Sequence, residues 1–294
     1  MTAAVCTRYG PPENLRLCQV PRPTPNPDEV RVRILASAVT ASDIFIRSAR
    51  VSARLQVPFR LMMGLTGPRH PIIGFVLSGV VDQVGSRTSR FRVGDEVYGG
   101  TGFRLGAYAQ YRCMIEHDSG SYGCLALKPR NLSHEQATAA AYGGLLALQY
   151  VDRGRIRAGD EVLVYGASGT SGTLAVQYAR SLGARVTGVC STRNVDLVRS
   201  LGADEVLDYT QVDAPPPGVG YDLVLDSVGG QKTSLLKDAC RRALLPGGRY
   251  VSIDDGDLEL SSARLAQVTQ LVESGTLAPV LGAIRDRLAA HGHP

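Results

Sequence analysis

A short segment near the middle of the chain constrains the fold more than any other. The apolar run 161–165 leads into a turn with the sequence Ala-Ser-Gly-Thr-Ser-Gly at 167–172, and a helical pattern follows over 174–182. The turn matches the dinucleotide-binding pattern G-x-G-x-x-G with alanine in the first glycine position, and it stands between a strand and a helix, as that motif requires. The segment therefore predicts a βαβ unit that holds a diphosphate.

The positions of this turn differ in their predicted roles. Gly169 lets the backbone approach the diphosphate, Gly172 lets the helix pack closely on the strand, and free N–H groups at the helix start attract negative charge. A glycine-rich turn without a ligand is the alternative. The residues that we predict to bind a cofactor here are Ala167, Ser168, Gly169, Thr170, Ser171 and Gly172.

Strands and helices alternate along the second half of the chain. Helices are predicted at 174–182, ended by Gly183, and at 195–201, and an Ala-rich helix comes before them, with Ser133 and Gln136 at the spacing of a capping box. The further predicted strands are 185–190, 205–208, 221–226 and 248–253. Continuous apolar strands that alternate with helices predict an α/β fold with a doubly wound parallel sheet, a Rossmann domain.

The first third of the chain is β-rich. Runs rich in β-branched and aromatic residues occupy 30–36, 79–84 and 107–113, and a tight turn at 91–97 leads into another strand. The proline-rich stretch 21–27 is predicted to be a surface connection, since proline cannot continue a ladder. This pattern favours a compact antiparallel barrel.

Near residue 128 the sequence pattern changes from β-rich segments to alternating strands and helices, and this change predicts the domain limits. We expect a catalytic barrel domain over 1–127, a nucleotide-binding domain over 128–275 and a short tail over 276–294. A chain of 294 residues is long enough for two cores.

The end of the strand 185–190 indicates which dinucleotide is bound. NAD-binding proteins place a carboxylate about 20 residues after the glycine-rich turn, where it bonds the ribose. Residues 190–194 read Cys-Ser-Thr-Arg-Asn and contain no carboxylate. Ser191 and Arg193 are suited instead to a 2′-phosphate, because a guanidinium matches phosphate oxygens in a fork. NADPH is therefore favoured; the alternatives are a solvated charge for Arg193 and an ordinary N-cap for Ser191.

Several segments together resemble a known family. The segments are 41–43 (ASD), 91–98 (FRVGDEVY), 106–110 (GAYAQ), 163–172, 177–186 (QYARSLGARV), 190–194, 201–209 (LGADEVLDY) and 226–230 (DSVGG). They are similar to the medium-chain dehydrogenase/reductase superfamily, and most of all to its zinc-independent quinone oxidoreductase branch. The resemblance implies a GroES-like β-barrel before the Rossmann domain, and a homodimer. It also implies that Tyr209 lies beside the 2′-phosphate, unless it is only a strand-end tyrosine, and that Ser227 and Val228 line the nicotinamide half of the site.

The resemblance also bears on metal and catalysis. Zinc-dependent relatives carry Cys at the position of Thr40 and a His-Glu pair at Phe75 and Val76, so this chain is expected to bind no metal. Thr40 and Tyr142 are the candidate catalytic residues, as an aid to polarising the substrate oxygen and as a proton donor, although Tyr142 could serve only in packing. Asp43 fits a buried, turn-stabilising carboxylate better than a catalytic group.

These features predict an NADPH-dependent reductase of quinones or α,β-unsaturated carbonyls, in which hydride adds to an activated double bond. A catalytically impaired NADPH-binding sensor or interaction protein of the same fold is the alternative. RNA binding is disfavoured, because the arginines behind the net charge of +5 form no basic tract.

The sequence also gives expectations for the cellular location of the protein and for its C-terminal tail. No apolar run reaches the roughly 20 residues of a membrane span, no secretory signal pattern opens the chain, and the six cysteines are scattered, so a cytoplasmic protein is predicted. After residue 280 the sequence departs from the family's pattern of a helix and a final strand. We interpret the tail as atypical, either truncated or altered in reading frame.

Overall fold

The computed structural model describes residues 1–49, 53–118, 123–230, 234–256 and 258–281. The chain divides into two compact units, one formed by 1–141 with 260–269 and the other by 142–259 with 270–294. This division does not test the functional limits 1–127, 128–275 and 276–294, which stay predictions. Residues 282–294, which make up most of the predicted tail, lie outside the described residues.

The described residues of the first unit include two antiparallel sheets. Strands β1 (Thr2–Cys6) and β2 (Leu15–Gln19) pair with each other. The second sheet has five strands, β3 (Glu29–Ser37), β4 (Val76–Val84), β5 (Glu96–Gly100), β6 (Tyr111–Ile115) and β7 (Cys124–Leu127). Their order in the sheet is β6-β3-β4-β5-β7. The inward residues of these strands, among them Val32, Leu77, Val97 and Leu125, form one buried apolar cluster, as the alternation of faces along a strand requires.

The first unit departs from the sequence expectations at several positions; β4, for example, begins at Val76 rather than at residue 79. Helices α1 (Ala41–Ser48) and α2 (Ala53–Met63) stand in a region that was interpreted only as β-rich. The strand predicted over 107–113 begins at Tyr111 instead. The reason is a tertiary pairing: the N–H groups of Ala107 and Tyr108 donate to the carbonyls of Gly74 and Ile73, which lie outside the ladder between β3 and β6.

The second unit contains a five-stranded sheet in which every described pairing is parallel. Its strands are β8 (Glu161–Tyr165), β9 (Arg185–Cys190), β10 (Glu205–Asp208), β11 (Tyr221–Asp226) and β12 (Leu244–Ser252), in the order β10-β9-β8-β11-β12. The first four coincide with the predicted spans, and β12 begins four residues before the predicted start. The predicted Rossmann sheet is therefore confirmed.

The remaining helices are α3 (His134–Gly154), α4 (Thr170–Ser181), α5 (Val195–Ser200), α6 (Leu235–Arg242) and α7 (Ser262–Glu273). The predicted capping box of α3 is present, because the Gln136 N–H donates to Ser133 Oγ at 3.2 Å and the Ser133 N–H donates to Gln136 Oε1 at 2.9 Å. In the described part of the chain no helix is long and apolar enough to cross a membrane.

The strand order fixes where a ligand can bind in the second unit. The chain runs outward from β8 through β9 to β10, and then returns to the other side of β8 to form β11 and β12. In open α/β sheets, ligands bind outside the carboxyl ends of the strands at such a reversal point. The turn after β8 and the loop after β11 lie at this point.

Candidate functional site

The turn after β8 is held by its own backbone. The N–H groups of Gly166 and Ala167 donate to the Val189 carbonyl on β9 at 3.1 and 2.9 Å, and the Gly169 N–H donates to the Gly166 carbonyl at 2.9 Å. Gly166 has a φ of 81°, a left-handed conformation that favours glycine. The turn is therefore shaped without using any of its side chains.

Helix α4 begins inside the glycine-rich motif, at Thr170, four residues before the predicted start. Gly169 occupies the N-cap position and contributes no side chain that could accept the first N–H groups of the helix. The first bond of the helix runs from the Thr173 N–H to the Gly169 carbonyl, so the N–H groups of residues 170–172 have no acceptor one turn back. Such a helix start is suited to an anion.

The close approach of α4 to the turn depends on Gly172. A Cβ atom at this position would lie 2.1 Å from the Gly166 carbonyl oxygen, whereas one at Gly169 would lie 3.3 Å from the same atom. Gly172 therefore serves close packing, as predicted, and the backbone at Gly169 is less closely approached. A turn with this shape and these donors fits the diphosphate of a dinucleotide.

The segment after β9 lies against the same turn. The Asn194 side-chain amide donates to Ser168 Oγ at 3.1 Å and to Ser191 Oγ at 3.2 Å, which joins the turn to the residues predicted to select the nucleotide. Ser191 occupies an N-cap position but its side chain forms no capping hydrogen bond. Sequence reasoning missed Asn194, although it stands directly after Arg193.

The Arg193 side chain is exposed, and in the described part of the chain no hydrogen bond or ion pair ties it to another residue. Arg193 follows Thr192, whose hydroxyl donates to Asp208 at the end of β10 and contacts Thr210 Oγ1 at 2.8 Å. The hydrogen bond from Thr192 holds the pKa of Asp208 below its usual range. These contacts tie the segment that carries Arg193 to the segment that carries Tyr209.

Tyr209 is half exposed and stands between Asp208 and Thr210. Its N–H donates to the Cys190 carbonyl at 3.0 Å, which places the end of β10 beside the end of β9. Ser191, Arg193 and Tyr209 thus lie on two neighbouring strand ends that are joined by hydrogen bonds.

The loop after β11 lies over the other side of the turn. The Ser227 N–H donates to the Tyr165 carbonyl at 2.9 Å. Val228 packs so closely on Gly166 that a Cβ there would be 2.6 Å from Val228 Cγ1. The structure therefore brings Ser227 and Val228 to the turn, while their place at the nicotinamide half of the site stays a prediction.

A buried ion pair, which sequence reasoning missed, holds this loop. Lys237 on α6 lies 2.6 Å from Asp226, and the exposed fractions of the two side chains are only 10% and 1%. Asp226 Oδ1 accepts the N–H groups of Val228 and Gly229 at 3.1 and 3.2 Å, and Tyr250 donates to Oδ2 at 2.7 Å. The carboxylate therefore has a partner on every side and fixes the first residues of the loop.

A buried tyrosine on α3 was also missed. The Tyr150 hydroxyl contacts Ser227 Oγ at 2.9 Å and also bonds Ser171 in the first turn of α4. Burial raises the pKa of Tyr150 to about 12, although these hydrogen bonds oppose the shift. The hydroxyl therefore stays protonated and links the first turn of α4 to the loop after β11.

Comparisons with known proteins place the chain in a family. The Alcohol dehydrogenase GroES-like domain family matches residues 26–125, and the Zinc-binding dehydrogenase family matches residues 172–277. An NADPH-dependent alkenal/one oxidoreductase of Arabidopsis thaliana chloroplasts is 29% identical over 96% of this chain and 72% of its own length. The solved structure of an NAD-dependent alcohol dehydrogenase is 30% identical, with a TM-score of 0.80 over 99% of this chain and 96% of that one. A quinone oxidoreductase of Pseudomonas aeruginosa is 31% identical over 95% of this chain and 81% of its own length.

The chain belongs to the medium-chain dehydrogenase/reductase superfamily. Membership confirms the predicted fold, a GroES-like domain followed by a Rossmann domain. It also confirms an oxidoreductase that resembles the quinone oxidoreductases of this superfamily.

In this superfamily member the candidate catalytic residues have defined surroundings. Thr40 forms the N-cap of α1: its hydroxyl donates to Asp43 Oδ2 at 2.6 Å, its N–H donates to the same atom at 2.8 Å, and the Asp43 N–H donates back to Thr40 Oγ1. Burial raises the pKa of Asp43. The capping role matches the predicted turn-stabilising carboxylate. Tyr142 is half-buried on α3, and the catalytic roles of Thr40 and Tyr142 stay predictions.

The described residues form no cluster of the side chains that usually bind a metal ion. Across the described ranges, no three His, Cys, Asp or Glu side chains are placed so that they could hold a metal ion. The independence of this chain from zinc stays a prediction, which rests on the residues at positions 40, 75 and 76.

Proposed function

We propose that this protein reduces quinones or α,β-unsaturated carbonyls with NADPH and without zinc. The observation that carries the proposal is the backbone-lined start of α4, which Asn194 joins to the segment that carries Arg193. Arg193 is exposed and has no partner among the described residues. The names of the Arabidopsis and Pseudomonas relatives support the reaction class.

The proposed contacts divide the cofactor into three parts. Residues 167–172 hold the diphosphate, Ser191, Arg193 and Tyr209 hold the 2′-phosphate, and Ser227 and Val228 line the nicotinamide half. Bound NADPH supplies a hydride. Tyr150 keeps its proton and holds the Ser227 and Ser171 hydroxyls, while the Asp226 carboxylate fixes the backbone of the loop after β11.

Reduction of an activated double bond suits a site without zinc ligands, because the acceptor is already polarised by its own carbonyl. Thr40 is the proposed aid to this polarisation. Its hydroxyl and its N–H both donate to Asp43 Oδ2, so contact of Thr40 with a substrate oxygen requires that one of these bonds opens; backbone groups of other residues are the alternative donors. Tyr142 is the proposed proton donor, with solvent as the alternative source.

The proposal is tested by following NADPH oxidation with a panel of small quinones and enones. We expect turnover with at least one class and a clear preference for NADPH over NADH. Tight NADPH binding without turnover on any acceptor would favour the nucleotide-binding sensor instead. Calorimetry that detects no binding of either nucleotide to folded protein would contradict both functions.

The two glycines of the turn give a prediction that separates binding from folding. Gly169→Ala adds a methyl group at a backbone conformation that alanine adopts freely, with φ −78° and ψ 168°, so the free energy of unfolding should change by less than about 1 kcal/mol. Gly169 is the N-cap residue directly before the free N–H groups of α4, so we expect the added methyl group to hinder the approach of the diphosphate and NADPH affinity to fall. Nucleotide titration and chemical denaturation of the same sample measure the two effects.

Gly172→Ala is the matched variant. Its Cβ would meet the Gly166 carbonyl oxygen at 2.1 Å, and overpacking of this kind costs about 1–3 kcal/mol. This variant should lose both stability and nucleotide affinity. If Gly169→Ala bound NADPH as well as the wild type does, the assignment of the diphosphate to this turn would be wrong.

We further propose that the protein works as a homodimer in the cytoplasm, with the functional domain limits given above. All six cysteines are unpaired, which fits a reducing compartment. Sedimentation of the purified protein tests the dimer.

A further inference from the structure

The first unit contains a cavity of about 200 Å³ at the edge strand β6, apart from the residues assigned to the nucleotide. Arg112 and Cys113 of β6 line it, together with Arg104 and Glu29. Nothing in the proposed reaction uses these residues. The cavity thus brings two guanidinium groups to one small space.

The side chain of Arg112 has no hydrogen-bond or ion-pair partner within the part of the chain that the structure describes. Its Nε atom is buried without a hydrogen-bond acceptor, and Arg112 takes part in none of the ion pairs between described residues. Gly106 packs against it so closely that a Cβ there would lie 3.0 Å from Arg112 Nε. The side chain is therefore held at the cavity rather than extended into bulk water.

Other arginines act on the surroundings of Arg112. Burial lowers the pKa of Arg112 and the charge of Arg104 also lowers it, whereas Cys113 and Glu29 act in the opposite direction. Burial also lowers the pKa of His70, and the charges of Arg112, Arg104 and Arg69 add to that effect. The positive charges of Arg69, Arg104 and Arg112 are therefore close enough to one another to act on the same side chain, His70.

The carboxylate that lines the cavity is turned to another partner. Glu29 Oε2 accepts the Asn26 N–H at 2.9 Å and the Asn26 side-chain amide at 3.0 Å. Glu29 acts on Arg112 only through its longer-range charge and forms no ion pair with it. A buried donor without an acceptor is costly to a protein, and a desolvated charge without a counter-charge is more so.

We propose that this cavity binds a small oxyanion, a carboxylate or phosphate group, through Arg112 with Arg104 beside it. A guanidinium presents a planar fork of donors that matches two oxygens of such a group. The site lies outside the nucleotide contacts, so the anion is a separate ligand. Its binding supplies both the missing acceptor and the missing counter-charge.

Calorimetric titration with inorganic phosphate and with acetate tests the proposal, at constant ionic strength and with and without NADP⁺. Phosphate that binds the nucleotide turn is displaced by NADP⁺, whereas phosphate at the cavity is not. Binding by both anions indicates a general oxyanion site, and binding by one identifies the preferred group. We expect Arg112→Gln to weaken the NADP⁺-insensitive binding by about tenfold or more, since charged hydrogen bonds are lost.

Arg16→Gln is the matched control, because it removes the same charge from an exposed position on β2. It should bind the anion as the wild type does. Arg112→Lys keeps the charge but loses the fork, and it should fall between the wild type and Arg112→Gln. Equal anion affinity in the wild type and Arg112→Gln, or no anion binding by the wild type, would overturn the proposal.

Thermal unfolding provides a second measurement. In phosphate-free buffer Arg112→Gln should unfold at a higher temperature than the wild type, because an unpaired charge is gone, and it should lose the rise that phosphate gives the wild type. A structural arginine would behave in the opposite way. A lower unfolding temperature in phosphate-free buffer, or failure of Arg112→Gln to fold, would therefore also count against the proposed site.

Discussion

Replacing Arg193 with alanine should weaken NADPH binding by about 1.5–3 kcal/mol and leave NADH binding almost unchanged. The two nucleotides differ only by the 2′-phosphate, and Arg193 is the exposed cation on the segment after β9 that Asn194 ties to the diphosphate turn. Since Arg193 has no partner among the described residues, its removal leaves no buried group unsatisfied. Titration of the variant with each nucleotide in turn measures the difference.

Arg199→Ala is the control for this prediction. Arg199 is an exposed arginine on α5, six residues further along the chain, so its removal changes the net charge equally. It should alter the affinities of both nucleotides little. Equal losses of NADPH and NADH affinity in Arg193→Ala would contradict a contact with the 2′-phosphate. An unchanged affinity for both would leave Arg193 as a solvated charge, the alternative given above.

The sequence predicted those parts of the fold whose signals are local. Strands β8 to β11 coincide with their predicted spans, because each is a short run rich in apolar and β-branched residues bounded by turn residues. The capping box of α3 was visible for the same reason, since its two members are three residues apart. Elements of this kind carry their evidence within one short window.

Other elements had weaker local signals. Helix α1 has eight residues and begins at a capping box of Thr40 and Asp43, but the strand-like residues around it concealed the spacing. The start of β6 depended on bonds to Gly74 and Ile73, more than 30 residues away, which a local pattern does not contain. Tertiary pairing, rather than propensity, decided this boundary.

The same distinction applies to the candidate site. Residues 167–172 form one motif, so the sequence identified them together. Tyr150 contacts Ser227 across 77 residues of chain, and alone it is indistinguishable from an ordinary apolar position of α3. Lys237 has the sequence appearance of a charged residue on a helix surface, yet it is buried against Asp226. The residues that support the site were therefore the ones that sequence reasoning missed.

These supporting residues give the loop after β11 its shape. Asp226 accepts two loop N–H groups, and Lys237 donates both to Asp226 and to the Gly229 carbonyl at 2.6 Å. The loop conformation is thus determined by a charge pair that lies beneath it. A change to this pair should affect the fold first and nucleotide binding as a consequence.

Lys237→Met should lower the free energy of unfolding by about 3–5 kcal/mol, because it leaves the Asp226 carboxylate buried without its cation. Methionine keeps the length of the aliphatic stem, so the loss reports on the charge more than on packing. Urea denaturation followed by circular dichroism measures the change. Nucleotide affinity should fall as well, since Val228 and Gly229 lose the fixed acceptor that positions them.

Two further variants test the cause of this loss. Arg185→Met breaks an exposed pair with Glu161, in which the atoms are 3.9 Å apart and the side chains are 61% and 40% exposed; it should cost less than about 1 kcal/mol. The double variant Asp226→Asn with Lys237→Met removes both charges and should be more stable than Lys237→Met alone, because no unpaired charge stays buried. If Lys237→Met were no more harmful than Arg185→Met, the buried pair would not be what holds the loop.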